Sequence, residues 1–347
     1  KSGNLSLANP DESIRAFWVE HSKRCRDIAD AIGKAQNDAC IMNTWVHDGC
    51  KDVSVNHALY RATLKKSLDE IFAEKKDWMK DCIEGKVFGI GLESFTVGSH
   101  DFYTAYAAKN NMMITIDTGH YHPTEVPGDK VSALLQFVPE LMLHVSRPIR
   151  WDSDHVTIMD DMTQDLFSEI VRADALDKVH YGLDFFDGSI NRIGAYVIGS
   201  RSAQKCMLKA LLEPKELISK LELEGDTFQV LQLIEEGKTM PWNAVYDEFC
   251  VRNGVPVGND VIAVIKDYEK NNLRAYSRSF ATSVSDPRTI LAVTHDGKLL
   301  LVTIDGRWAD KAYGMTYKQV QDFLITHFLP KNAISMDGGG STSMFVR

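Results

Sequence analysis

Met112-Met113-Ile114-Thr115-Ile116-Asp117-Thr118-Gly119-His120 sets the pattern for this chain. A short, almost continuously apolar run ends in a turn of polar side chains. A strand buried on both faces reads this way, since neither side of it faces water, and such strands belong to parallel sheets. The signature recurs in Ala39–Val46, which runs into His47-Asp48-Gly49, and in Val87–Leu92, Leu141–Val145 and Val179–Phe185. Between these runs apolar residues recur at three- and four-residue steps, the spacing of a helix face. Ile14, Phe17, Trp18, His21, Cys25, Ile28, Ala29 and Ile32 place a helix over 11–36. Further helices are expected around 57–84, 100–110, 127–139 and 162–174, and 190–271 reads as mostly helical. The chain is therefore an α/β alternation with five strands. Polar residues gather where strands end: Trp45 and Asp48, Glu93, Asp117 and His120, His144 and Asp152, Asp184 and Asp187. Sites are built at that end in (β/α) barrels and in doubly wound sheets alike, so the alternation leaves both architectures open.

The 347 residues suffice for one large domain or for two or three ordinary ones. Apolar residues at 44% and charged residues at 25% match soluble globular usage and exclude a disordered or collagen-like chain. No apolar run is long enough for a membrane span. A formal charge of -9 argues against nucleic acid as a partner. Six cysteines without a C-x-x-C pair point to a reducing, cytoplasmic setting. The chain opens on Lys1 rather than Met, so it reads as a fragment. Charge is unevenly spread. Residues 273–347 hold nine Lys and Arg and six Asp, a balance of +3, which leaves -12 for residues 1–272. That shift predicts a domain boundary at Glu269-Lys270-Asn271-Asn272, the alternative being one domain with an acidic helical region and a β-rich tail.

Three segments carry chemistry: Ile116-Asp117-Thr118-Gly119-His120-Tyr121-His122-Pro123-Thr124-Glu125, Arg150-Trp151-Asp152-Ser153-Asp154-His155 and Gly182-Leu183-Asp184-Phe185-Phe186-Asp187. Each follows or ends a strand, and together they bring carboxylates and imidazoles from separate strand ends. Such a set suits a pair of divalent metals. Mostly oxygen with some nitrogen and no thiolate favours Mn, Mg or Co over a structural zinc site. Any one member has an ordinary explanation, as a helix N-cap or a packing histidine. Recurrence at three consecutive strand ends does not.

These segments closely resemble the L-rhamnose isomerase family, as do Trp45-Val46-His47-Asp48-Gly49-Cys50-Lys51-Asp52, Val87-Phe88-Gly89-Ile90-Gly91-Leu92-Glu93-Ser94 and His144-Val145-Ser146-Arg147-Pro148. The likeness runs from about residue 11 to 270. It implies a (β/α)8 TIM barrel of the xylose-isomerase-like type with a helical extension over about 190–272. It also implies two divalent metals, typically Mn2+ (with Mg2+, Co2+ or Zn2+ as alternatives), and aldose–ketose isomerisation in a homotetramer. Carried over by position, the resemblance implies a structural metal on Glu84, Asp117, His144 and Asp184. It implies a catalytic metal on His120, Asp152 and Asp154, acting as a Lewis acid on the sugar oxygens. Asp184 is then placed to orient the water that moves the hydroxyl proton, Lys86 to present a cation, and Trp45 to form an apolar wall, with Lys86, Trp45 and His120 lining the substrate pocket. Lys86 as a solvated charge at a strand start and Trp45 as core are the plainer alternatives.

The family's barrel has eight strands. The five counted here align with its fourth to eighth, so a barrel truncated to about five strands is expected, with two open edges and impaired folding and activity. Residues 273–347 read as a small α+β fragment. Arg288–Val293, His295-Asp296-Gly297 and Leu299–Asp305 form a hairpin signal, a helix follows over about 316–324, then a strand Ala333–Met336 and Asp337-Gly338-Gly339-Gly340-Ser341-Thr342. With Pro287-Arg288-Thr289 and Leu299-Leu300-Leu301-Val302-Thr303-Ile304-Asp305-Gly306-Arg307, this tail resembles the C-terminal part of the phosphodiester glycosidase family over about 280–347. The resemblance implies that Asp337, Gly338, Gly339, Gly340 and Ser341 belong to that family's site. The chain reads as two incomplete domains joined. Its expected activity is metal-dependent interconversion of L-rhamnose and L-rhamnulose. The alternatives are sugar phosphodiester hydrolysis by the tail, an inactive remnant or assembly partner, or another metal-dependent barrel.

Overall fold

The computed structural model describes residues 5–185, 192–268, 285–308 and 310–335. The chain divides into two compact units, Lys1–Val255 and Pro256–Arg347.

The first unit is built on a sheet of five strands, β1 (Cys40–Trp45), β3 (Met79–Glu84), β5 (Met113–Asp117), β6 (Leu141–Val145) and β7 (Val179–Leu183), all parallel and in that spatial order. Each consecutive pair is joined through a helix: α2 (His57–Ile71), α3 (His100–Asn110), α4 (Asp129–Leu134) and α5 (Asp161–Arg172). Strand order never reverses. A doubly wound sheet reverses at its switch point, so this singly wound order is that of successive strands of a barrel. β1 and β7 each pair with one neighbour among the described residues. A two-stranded ribbon, β2 (Gly49–Cys50) with β4 (Phe95–Thr96), lies in the loops after β1 and β3.

One expected strand and two expected helices need correction. The helix from 57 stops at Ile71, the next strand is Met79-Lys80-Asp81-Cys82-Ile83-Glu84, and Val87–Leu92 is an irregular loop. The strand is disguised by charge. Lys80 binds both carboxylate oxygens of Glu140 at 2.7 and 2.6 Å, and Asp81 takes a two-pronged bond from Arg26 at 2.8 and 2.7 Å. Pairing lets charged residues lie in a buried strand that no apolar count detects. Lys86 and Glu93 consequently follow the strand's end instead of starting it and closing it. The helix expected over 127–139 is confined to Asp129–Leu134. The remaining strands and helices of this unit lie within a few residues of their expected positions.

α1 (Glu12–Gln36) begins at Asp11, whose side chain accepts from Ser13 N, and ends on Asn37 in the left-handed conformation. It passes close to the turn that enters β3. A methyl group added at Gly33 would stand 1.7 Å from the Trp78 carbonyl oxygen, which itself accepts from Cys40 N at 3.0 Å. Gly-to-Ala changes inside an open helix stabilise by about 1 kcal/mol. Here Gly33→Ala is expected to reverse that sign and destabilise by about 1–3 kcal/mol, since the contact is with backbone that cannot turn aside. Urea unfolding measures it, and a stabilised variant would disprove the close approach. The core between sheet and helices is Ile83, Ile114, Ile116, Leu141, Leu143 and Val145 against Leu64, Leu68, Leu166 and Ile170. Beyond β7, helices α6 (Arg192–Leu212), α7 (Lys215–Leu223), α8 (Thr227–Lys238) and α9 (Trp242–Arg252) follow.

The second unit holds α10 (Asn259–Tyr268), then the antiparallel strands β8 (Arg288–Thr294), β9 (Leu299–Ile304) and β10 (Pro330–Ser335) in the order β10-β8-β9, with α11 (Tyr317–Phe328) beside them. The Asp296-Gly297 turn closes the expected hairpin, with Gly297 at φ 82°. Thr316 and Gln319 form a reciprocal cap at the start of α11, and Ile290, Val320 and Leu324 are its core. The expected seam at Glu269–Asn272 and the stretch Asp337–Ser341, with Gly338, Gly339 and Gly340, lie outside the described residues, as does Asp187.

Candidate metal centre

The C-terminal ends of β3, β5, β6 and β7 bring Glu84, Asp117, His144 and Asp184 to one rim, because register places Glu84 beside Thr115, Asp117 beside His144, and His144 beside Gly182. His120 is delivered by a tight turn after β5: Gly119 N donates to Asp117 Oδ1 at 2.7 Å, and His120 N to the Asp117 carbonyl at 3.2 Å. Asp152 and Asp154 come from the long loop after β6. That loop holds Arg150 at φ 69° and Asp154 at φ 46°, left-handed conformations that are uncommon without glycine.

His120 Nδ1 lies 2.8 Å from Glu84 Oε1, and its Nε2 lies 3.3 Å from Asp152 Oδ2 and 3.8 Å from Asp117 Oδ2. His144 Nδ1 faces Glu84, Asp184 and Asp117 at 3.3, 3.4 and 3.7 Å. Among the described residues, two triads have ligand atoms close enough together to share one ion: Glu84 with Asp117 and His120, and Asp117 with His144 and Asp184. Asp117 is common to both. Asp152 and Asp154 stand beside these triads. Lys86 Nζ donates to Asp152 Oδ2 at 2.6 Å and lies 5.2 Å from the centre of the Trp45 ring, which is itself 6.4 Å from the His120 ring. Trp45 is therefore at the rim, 43% exposed, and is not core. Lys86 is not a free surface charge, since it is mostly buried and paired.

The electrostatics fit a divalent cation. Burial works against charge on Glu84, yet His120 and His144 hold its carboxyl well below the usual carboxylate range. Burial likewise opposes charge on the two imidazoles. Asp152 and Glu84 nevertheless raise His120 to about 10, and Asp117 and Glu84 raise His144 to about 10. Burial pushes Asp117 up to about 6. Burial and the neighbouring Asp152 push Asp154 up to about 7. Five carboxylates thus face two imidazoles and one ammonium, an excess of negative charge that a divalent cation would balance. Asp117 Oδ2, His144 Nδ1 and Asp152 Oδ1 are buried without a hydrogen-bond partner. Gly119 keeps a space open among them, since a methyl there would come within 2.6 Å of Asp152 Oδ1. Two buried carboxylate oxygens without a hydrogen-bond partner, an open cradle and a carboxylate–imidazole ligand set are what a hard divalent ion needs.

Several supporting residues were not legible beforehand. Asn43 Nδ2 donates to Glu84 Oε2, Thr115 Oγ1 donates to Asn43 Oδ1 at 2.7 Å, and His100 Nε2 contacts the His120 carbonyl at 2.8 Å. Only a pleat register reveals the first two. Asp48 belongs elsewhere: it is fully buried and takes bonds of 2.6 Å from Ser6 N, Ser6 Oγ and Ala8 N, which clamp the N-terminal segment. Glu93 is exposed in its loop. A cavity of about 680 Å³ opens at the opposite end of the sheet, beside Met79–Asp81, Met112 and Glu140. Its central charges, Arg26 with Asp81 and Lys80 with Glu140, satisfy each other, so the chemistry lies at the rim.

The family model for L-rhamnose isomerase matches residues 1–275. The chain belongs to the L-rhamnose isomerase family. An L-rhamnose isomerase of Bacteroides thetaiotaomicron is 68% identical over 269 residues, covering 78% of this chain and 64% of that protein. Those of Mannheimia succiniciproducens and Shigella sonnei are 50% and 49% identical, over 78% and 77% of this chain and 66% and 64% of theirs. The chain thus spans somewhat less than two thirds of the length of these relatives. A second family model, phosphodiester glycosidase, matches residues 209–347. That match starts well before residue 280, so 209–275 falls within both, and the L-rhamnose isomerase match includes α10, which lies within Pro256–Arg347. No helix among the described residues is long and apolar enough to cross a membrane.

Proposed function

We propose that this chain carries the metal-dependent isomerisation of L-rhamnose to L-rhamnulose. The observation that supports the reading is the convergence of Glu84, Asp117, His120, His144 and Asp184 at one strand-end rim in a member of this family. The proposed ligands are Glu84, Asp117, His144 and Asp184 for one ion and His120, Asp152 and Asp154 for a second, with Mn2+ the favoured metal. When bound, a divalent cation supplies Lewis-acid polarisation of neighbouring sugar oxygens. The chain's residues have the following parts. The Lys86 ammonium sits against Asp152 and presents positive charge toward oxygens of the sugar. Asp154, beside Asp152, adds its carboxylate to the proposed second ion's ligands. Asp184, half exposed on its side chain, orients water at the rim. Trp45 covers an apolar sugar face. The domain division proposed is 1–272 for the barrel of the xylose-isomerase-like type and its extension, and 273–347 for the tail. Tetramer formation and a cytoplasmic location belong to the same proposal.

The test is the full chain with Mn2+, assayed for ketose from L-rhamnose and for its loss with chelator. Stoichiometric Mn2+ without ketose would refute the reading. The second reading, a sugar phosphodiester hydrolase acting through Asp337–Ser341, is favoured by the 209–347 match. Sugar release from a phosphodiester, abolished in Asp337→Ala, would support it.

Metal uptake itself has a proton signature. Below about 10 both imidazoles are protonated in the metal-free chain, and a ligand nitrogen must give up its proton. Binding is therefore expected to release roughly one to two protons at neutral pH, and affinity to rise with pH. Calorimetry in buffers of different ionisation heat measures this. Equal heats in all buffers would show that metal binding displaces no proton from either histidine.

A further inference from the structure

Glu84 has a third partner besides its two imidazoles. Across three adjacent strands, Cys82, Thr115 and Asn43 form a line of side chains that ends on it. Cys82 Sγ and Thr115 Oγ1 are 2.8 Å apart, Thr115 Oγ1 lies 2.7 Å from Asn43 Oδ1, and Asn43 Nδ2 meets Glu84 Oε2. Cys82, Thr115 and Glu84 are buried, and Asn43 is half-buried. Register places Asn43 beside Cys82 and Thr115 beside Glu84.

The direction of this line follows from chemistry. A carboxylate only accepts, so Asn43 turns its amino group to Glu84. Its carbonyl oxygen then needs a donor, and the Thr115 hydroxyl provides one. The hydroxyl has one proton to give, and the Cys82 thiol can donate to the oxygen's free lone pair. An amide side chain keeps nearly the same shape when turned over, and the turned form would set an oxygen against Glu84. Glu84 opposes the turned form, and the Thr115 hydroxyl, by donating to the Asn43 oxygen, holds the productive form in place.

We propose that Asn43, set by Thr115, is a positioning residue that aims the Glu84 carboxylate at the metal, so that affinity depends on two side chains that do not touch the ion. The proposal rests on the metal-centre reading above. Outer partners of metal ligands typically govern affinity by about 10- to 100-fold.

The test is Mn2+ binding to the full chain, followed by electron paramagnetic resonance of the free ion, with thermal melts of each variant. Thr115→Val is shape-matched and lacks the hydroxyl; Asn43→Ala removes the amide from an edge strand; Thr115→Ser restores the hydroxyl. Thr115→Val and Asn43→Ala are expected to bind Mn2+ about 10- to 100-fold more weakly, and Thr115→Ser within about twofold of the parent. Parent-like binding by Thr115→Val or Asn43→Ala overturns the proposal, as does equal weakening in Thr115→Ser and Thr115→Val. A parent chain that binds no Mn2+ overturns the metal-centre reading, and this proposal with it; Mn2+ binding that ignores Thr115 overturns this proposal alone.

Discussion

Glu84→Gln is expected to leave the chain folded and to weaken Mn2+ binding by more than about 100-fold, beyond what outer partners of a ligand control. The glutamine keeps the shape of the side chain and can still accept a hydrogen bond. It removes one full negative charge from the last residue of β3, a side chain almost sealed from water that faces both imidazoles. In so dry a place, charge lost is not replaced by solvent. The isomerase turnover proposed above is expected to fall with the metal. A second readout needs no metal: His120 and His144 lose a shared carboxylate, so their raised pKa values should drop, which imidazole resonances report directly. Circular dichroism separates this from unfolding. Binding within tenfold of the parent would remove Glu84 from the ligand set.

Arg26→Ala is expected to destabilise the first unit by about 3–5 kcal/mol, the usual loss when one partner of a buried pair is removed. Arg26 is 2% exposed. Its Nε and Nη2 grip both oxygens of Asp81, Nη1 donates to the Ile71 carbonyl at 2.7 Å, and Nη2 also donates to the Glu74 carbonyl at 2.7 Å. One side chain thus ties α1 to the end of α2, to the following turn and to β3. Removing it strands an acid and two carbonyls. Arg26→Lys keeps the charge without the planar fork and is expected to recover less than half of the loss. Urea unfolding of the full chain reads both variants. A loss under about 1 kcal/mol would show that water reaches Asp81 readily enough to replace the guanidinium.

The contrast between Leu141–Val145 and Met79–Glu84 explains what could be read in advance. Leu141–Val145 is apolar except for His144, so composition alone marks it as a buried parallel strand. Met79–Glu84 has three charges in six residues and looks like the end of a helix. Its charges are tolerated because Arg26, Glu140 and the rim histidines meet them, and those partners lie tens of residues away. The site divides similarly. Asp117, His120, His144, Asp152 and Asp184 stand out because they follow apolar runs. Asn43 and Thr115 sit inside such runs and are chemically silent until the pleat turns them to face Glu84.

The residues alone determined the strand–helix alternation, the charge break between the acidic first part and the basic tail, and which carboxylates and imidazoles gather at strand ends. Local propensity and periodicity are properties of neighbours in the chain, so the chain reveals them. Only the tertiary structure decided that strand order is singly wound, that β3 is a strand, that Asp117 is shared by two ligand triads and that Lys86 is held by Asp152. Each of those depends on which distant segments lie side by side, and pairing across a parallel sheet leaves no trace in the spacing of either partner.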